Sequence, residues 1–234
     1  MTALLNQARA SLQTGSTELA LQQLSTLTAA DPANAEAFGL LAMASVRAGK
    51  LAAAQTAVRR AIELEPQNAD FCLTAANIEQ DLGKLDGAVE LLQRAVRLRP
   101  AFSQAHNNLG ILFSDLGRFE VASHAFTAAI RSNPQYARAY ANLAVAQMRL
   151  LQLQEAVNSA KRATELQPDY AHGHHLLATA HNMLGDPHGA EAALSNALRL
   201  KPDLVESSLL MAQVLSKLKR QDDAERVIRS ALTS

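Results

Sequence analysis

Proline stands at positions 32, 66, 100, 134, 168 and 202, each 34 residues after the one before, and only Pro187 lies outside the series. Such a spacing restricts the chain to architectures made by stacking one small unit on the next. With each phased proline at place 32, the units are 1–34, 35–68, 69–102, 103–136, 137–170 and 171–204, and 205–234 is a seventh that lacks only its connector. Two columns that played no part in setting the frame agree with it. Place 20 reads Ala20, Ala54, Ala88, Ala122, Ala156, Ala190 and Ala224, and place 8 reads Ala8, Ala42, Ala76, Gly110, Ala144, Ala178 and Ala212. Small side chains let two helix axes approach closely, whereas larger ones hold them apart. The two columns therefore predict packing seams.

Apolar residues within a unit follow a helical period, as in Phe38, Leu41, Ala42 and Ser45, then Leu51, Ala54, Val58 and Ala61. Each unit thus reads as two helices. Gly15, Gly49, Gly83, Gly117 and Gly185 at place 15 mark the break, where a left-handed residue ends the first helix. Leu151 and Lys219 depart from this column, so those two turns are less well defined by sequence. Asp186-Pro187 fits a helix N-cap followed by proline at the first helical position, which accounts for the proline outside the series. The residue before each phased proline is pushed out of the helical region and ends the second helix. Composition agrees: 46 of 234 residues are Ala and aromatics make up only 4%, which excludes a β sandwich or barrel.

The pattern resembles the tetratricopeptide repeat family, whose unit is a 34-residue helix-turn-helix with small residues at places 8, 20 and 27 and proline at 32. The fourth unit fits best, with Leu109, Gly110, Phe113, Ala122, Phe126, Ala129 and Pro134 on pattern. Place 4 departs from it with Cys72, His106, His174 and Ser208, and place 11 with Ser11, Ser45, Glu79, Gln147 and His181. The resemblance covers the whole chain. It implies an all-α, right-handed superhelical solenoid of about seven repeats forming a single array over 1–234, related to bacterial scaffold proteins of this type.

In such arrays the first helix of each unit lines a concave groove, chiefly through places 2, 5, 6, 9, 12 and 13. The candidate peptide-binding residues on that surface are Asn77, Asn107, Asn108, Arg138, Asn142, Arg149, His172 and His175. Asparagine recurs at place 6 as Asn6, Asn108 and Asn142, and its amide supplies the donor and acceptor needed to hold a peptide backbone without reading side chains. Helix axes roughly 8–10 Å apart would space successive amides by about three residues of extended chain. The arrangement is similar to the asparagine ladder in the repeat arm of O-linked N-acetylglucosamine transferases. A carboxylate clamp of the chaperone-binding type is incomplete, because only Arg138 stands near Asn108 and Asn142. Asp70, Asp81 and Asp115 make the preceding part of the groove negative, which favours a partner with opposite charges at its two ends.

Other chemistry is absent from the sequence. No phosphate loop, dinucleotide glycine fingerprint, His-Glu-x-x-His or Gly-x-Ser-x-Gly occurs. His172 and His175 share a helical face and could supply two metal ligands, but two do not make a site, so no metal is expected. Cys72, the single cysteine, reads as a small packing residue. Twenty-two Lys plus Arg balance 22 Asp plus Glu, leaving no field to hold nucleic acid or an anionic membrane, although local patches remain open. With no signal peptide, no membrane span and no cysteine pair, the expected location is cytoplasmic. The chain is expected to be a cofactor-free, non-enzymatic scaffold or adaptor that binds a protein or peptide. The alternatives are a substrate-recruiting arm of a larger glycosyltransferase-like or sulfotransferase-like enzyme, and self-assembly as a homodimer. Both rest on the apolar residues Val227, Ile228, Ala231 and Leu232 of the last helix, where a polar cap would be usual before the chain stops at Ser234.

Overall fold

The computed structural model describes residues 2–233. Met1, Ser234 and the side chains of Leu232 and Thr233 lie outside the described residues. Fourteen helices occur among the described residues, in seven consecutive helix-turn-helix pairs. The first four pairs are α1 (Thr2–Gln13) with α2 (Thr17–Ala30), α3 (Ala35–Arg47) with α4 (Leu51–Leu64), α5 (Ala69–Asp81) with α6 (Leu85–Leu98), and α7 (Ser103–Asp115) with α8 (Phe119–Ser132). The last three are α9 (Ala137–Arg149) with α10 (Leu153–Leu166), α11 (Ala171–Leu184) with α12 (Pro187–Leu200), and α13 (Val205–Lys217) with α14 (Gln221–Thr233). The chain forms two compact units that divide within α7, one through Ala105 and one from His106 onward.

Helix ends follow local chemistry. The residue before each phased proline, from Asp31 to Lys201, has ψ between 78° and 94°, well outside the helical range, and the second helix stops there. Asn34 and Asn68 cap α3 and α5 by accepting backbone N–H groups of the first turn. Asp186 caps α12 through Gly189 N at 2.9 Å, with Pro187 in the first turn.

All seven turns between paired helices close with the same bond, from the N–H at place 16 to the carbonyl at place 11, over 2.7–2.9 Å. Leu151 (φ 58°) and Lys219 (φ 62°) adopt the left-handed conformation of the five turn glycines, so the backbone keeps this turn where the sequence signal is missing.

Each unit is a stack. In the first, α3 packs on α1 and α5 on α3; in the second, α11 packs on α9 and α13 on α11. Within each unit a second helix packs on its own first helix and on the next one, as α2 does on α1 and α3, or α10 on α9 and α11. The core clusters follow the same rule. Ala8, Leu12, Ala20, Leu21, Leu24 and Ala44 come from one pair plus the first helix of the next, and Ala141, Met148, Ala156, Val157, Ala163, Leu176 and Ala180 repeat that composition in the second unit. The columns at places 8 and 20 are buried throughout. Where place 8 is Gly110, the fully buried Phe126 ring takes up the space, and a Cβ at Gly110 would lie 2.5 Å from Phe126 Cε1.

Gly110→Ala is therefore expected to destabilise, although alanine fills this place in the six other units. Overpacking at about 1–3 kcal/mol outweighs a helix-propensity gain of about 0.5–1 kcal/mol. Denaturant unfolding checks it, and Phe126→Leu in the same chain should restore the loss. Leu151→Gly should act in the opposite sense, raising stability by about 1 kcal/mol by relieving a Cβ in the left-handed region, read as a higher melting temperature.

Candidate functional site

The first helices of the second unit carry a linked set of amides. α7 supplies Asn107 and Asn108, and α9 brings Asn142 beside them. Asn142 Nδ2 donates to Asn107 Oδ1 at 3.0 Å, and Asn107 Nδ2 donates to Asn108 Oδ1 at 3.5 Å. Asn107 is only 4% exposed, whereas Asn108 and Asn142 are half-buried at its two sides. Asn107 is thus an internal link that orients its neighbours, where the repeat pattern alone would place it as an exposed contact. An asparagine amide has two N–H donors and an oxygen with two lone pairs, so the bonds within this set do not exhaust what it can offer.

The remaining groove residues divide between the units. Asn77 is exposed on α5 and borders a recess of about 230 Å³ between α3 and α5, lined by Met43, Val46, Thr74, Ile78 and Asp81. Arg138 is exposed at the second residue of α9; burial pushes the nearby Tyr136 hydroxyl to a higher pKa and the Arg138 charge draws it back in part. Arg149 packs its guanidinium 4.8 Å from the centre of the Phe119 ring, at the start of α8, and so stands beside a turn.

The expected negative stretch is weaker than its formal charges. Both carboxylate oxygens of Asp70 accept from the Arg99 guanidinium, one of them at 3.0 Å, so that charge is matched locally. Glu36 is paired with Arg9 through one carboxylate oxygen. Asp81 and Asp115 remain exposed.

Histidines gather on α11. The rings of His172 and His175 stack with centroids 6.0 Å apart and planes 18° from parallel, and Tyr170 lies 6.1 Å from His172. His175 Nδ1 is 2.9 Å from the hydroxyl of the fully buried Ser207 on α13. Burial lowers the His175 pKa, the His172 ring adds to the effect, and Glu206 opposes it, so His175 is neutral at pH 7. His174 and His181 are half-buried on the floor of a recess of about 590 Å³ between α10 and α12. The Pro168 carbonyl can only accept, so His174 donates Nε2–H to it at 3.0 Å. His181 Nδ1 lies 2.9 Å from Asp186 Oδ2. No three His, Cys, Asp or Glu side chains come together in a metal-ligating group among the described residues. Cys72 is buried on α5, and burial raises its thiol pKa, which leaves the thiol unreactive.

Ser207, Arg99 and Phe119 were not legible as parts of this surface. Each acts across a helix pair or between repeats, and only Arg99, opposite in charge to Asp70 in the same 34-residue unit, left a signal in the sequence.

No helix among the described residues is long and apolar enough to cross a membrane. A family model described as "Tetratricopeptide repeat" matches residues 5–71 and 108–171, and a second, "TPR repeat", matches 76–117. A search of curated proteins finds no match. Among solved structures, the chain is similar to pilF of Pseudomonas aeruginosa, with a TM-score of 0.79, 20% identity, and coverage of 91% of this chain and 96% of that one. It is also similar to a chain of the APC/C hetero-tetramer Cut9-Hcn1, with a TM-score of 0.76 and 21% identity over 91% of this chain; it spans only 42% of the length of that protein. A third likeness is to YrrB, described as a TPR protein with an unusual peptide-binding site, with a TM-score of 0.64, 17% identity, and coverage of 79% and 95%. At these identities the structures speak for the fold alone. The matched family models span most of the sequence, and the chain belongs to the tetratricopeptide repeat family.

Proposed function

We propose that this chain is a non-catalytic scaffold or adaptor in the cytoplasm, its seven repeats acting as one array that holds an extended or helical peptide segment of a protein partner against the first helices. The observation that carries this reading is the amide set Asn108–Asn107–Asn142. A buried asparagine that fixes two half-exposed asparagines in adjacent repeats is suited to a partner's backbone, whose N–H and C=O groups recur whatever its side chains are. Arg138 beside that set attracts acidic residues, and the His172–His175 stack adds a flat apolar surface with polar edges.

Peptides selected from a random display library against the whole chain provide the test. Replacing one backbone N–H of a selected peptide by N-methyl should weaken binding about tenfold or more where that amide meets Asn108 or Asn142. Changing the side chain at the same position should have a smaller effect. Titration by fluorescence anisotropy reads both. Equal tolerance of N-methylation along the whole peptide, or unchanged affinity in the Asn108→Ala and Arg138→Ala variants, would contradict the reading.

A second reading rests on α14. Place 24 is fully or almost fully buried in the six preceding units, as Leu24, Val58, Leu92, Phe126, Ala160 and Leu194, whereas Ile228 is 41% exposed. A second copy of the chain covering this face would bury it. Light scattering should then show a mass that rises with concentration and returns to that of a monomer in Ile228→Glu; a monomer at every concentration removes this reading.

A further inference from the structure

The turns between paired helices differ between the two units. In the first they are Thr14-Gly15-Ser16, Ala48-Gly49-Lys50 and Leu82-Gly83-Lys84, and none exposes a large apolar side chain. From His106 onward the first three do, and only the last, Leu218-Lys219-Arg220, does not: Leu116 is 43% exposed, Leu151 75%, and Met183 and Leu184 about as much as Leu116. In this unit the first helices pack side by side and every turn closes with the same bond, so the turns that carry these side chains follow one another along one edge, with helix axes roughly 8–10 Å apart.

Leu151 is the clearest of them. It holds a conformation in which glycine is free of strain and leucine is not, and it places its side chain in water, where it adds nothing to the core. Neither the fold nor the turn calls for leucine here. Two exposed arginines stand at these turns, each over a phenyl ring: Arg149 over Phe119 at 4.8 Å, and Arg118 over Phe113 at 4.9 Å. Held over a ring by a cation–π contact, an exposed guanidinium keeps its charge and N–H donors for a carboxylate.

We propose that this edge docks an amphipathic helix of a protein partner, with an apolar side chain about once per heptad toward Leu116, Leu151 and Leu184, and acidic residues toward Arg118 and Arg149. Seven residues of α-helix advance about 10.5 Å, close to the repeat spacing. An anionic membrane is the less suitable partner, because it calls for a cluster of about four to eight cations, and the chain as a whole is neutral.

The test uses the whole chain and a labelled three-heptad helical peptide with leucine at every seventh position flanked by glutamate. A scrambled peptide of the same composition serves as control, alongside phosphatidylcholine–phosphatidylserine vesicles. The patterned peptide should bind and the scrambled one should not. Leu151→Gly should lower affinity roughly tenfold or more while leaving the melting temperature equal or higher. Arg118→Glu combined with Arg149→Glu should lower it further, and vesicles should not bind. Equal binding of the scrambled peptide, no binding of either peptide, affinity unchanged in Leu151→Gly, a melting temperature that falls with affinity in that variant, or vesicle binding that depends on Leu151 would each overturn the proposal.

Discussion

Two helices of 12 to 14 residues joined by a short turn cannot enclose a core, so each pair in this chain depends on its neighbours for the burial that keeps it folded. The seams at places 8 and 20 make that dependence workable. Alanine or glycine there brings the paired axes close, and larger residues at place 24, such as Leu24 and Val58, then join the first helix of the following pair in one cluster. Most of the remaining structure follows from this constraint. Within each unit, clusters are shared between pairs, second helices such as α2 and α10 lie between successive first helices, and the first helices are left side by side as a continuous surface.

That surface is where the sequence departs from packing rules. The seams hold nearly the same residue in every repeat, whereas the first-helix positions facing away from them vary from aspartate to histidine to asparagine. A buried amide such as Asn107 contributes less to a core than an aliphatic side chain would. Its neighbours on either side make it useful, since it fixes the orientation of two groups that reach solvent. The exposed leucines at the later turns are a second departure of the same kind, on a different edge.

Much of the architecture was legible before any coordinates. Proline phase gave the ends of the second helices, glycine gave five turns, and Asp186-Pro187 gave the start of α12, because each of these residues acts on the backbone beside it. Leu151 and Lys219 left their turns open, since hydrogen bonds within the turn, and not the residue type, hold the backbone in the left-handed region there. The site was less legible for a related reason. Whether Asn107 is exposed, whether the Asp70 charge is matched by a neighbour and which way Arg149 lies are decided by residues in other helices: Asn142, Arg99 and Phe119. Sequence periodicity places a residue on a face of its helix but does not say what the next helix has already bound.

Native-state hydrogen exchange on the whole chain tests the dependence of each pair on its neighbours most directly. A stack held by contacts between adjacent pairs should show graded protection, with α1–α2 and α13–α14, each supported on one side, exchanging fastest and pairs with neighbours on both sides exchanging slowest. Uniform protection from one end to the other, lost in a single step as denaturant is added, would contradict the account.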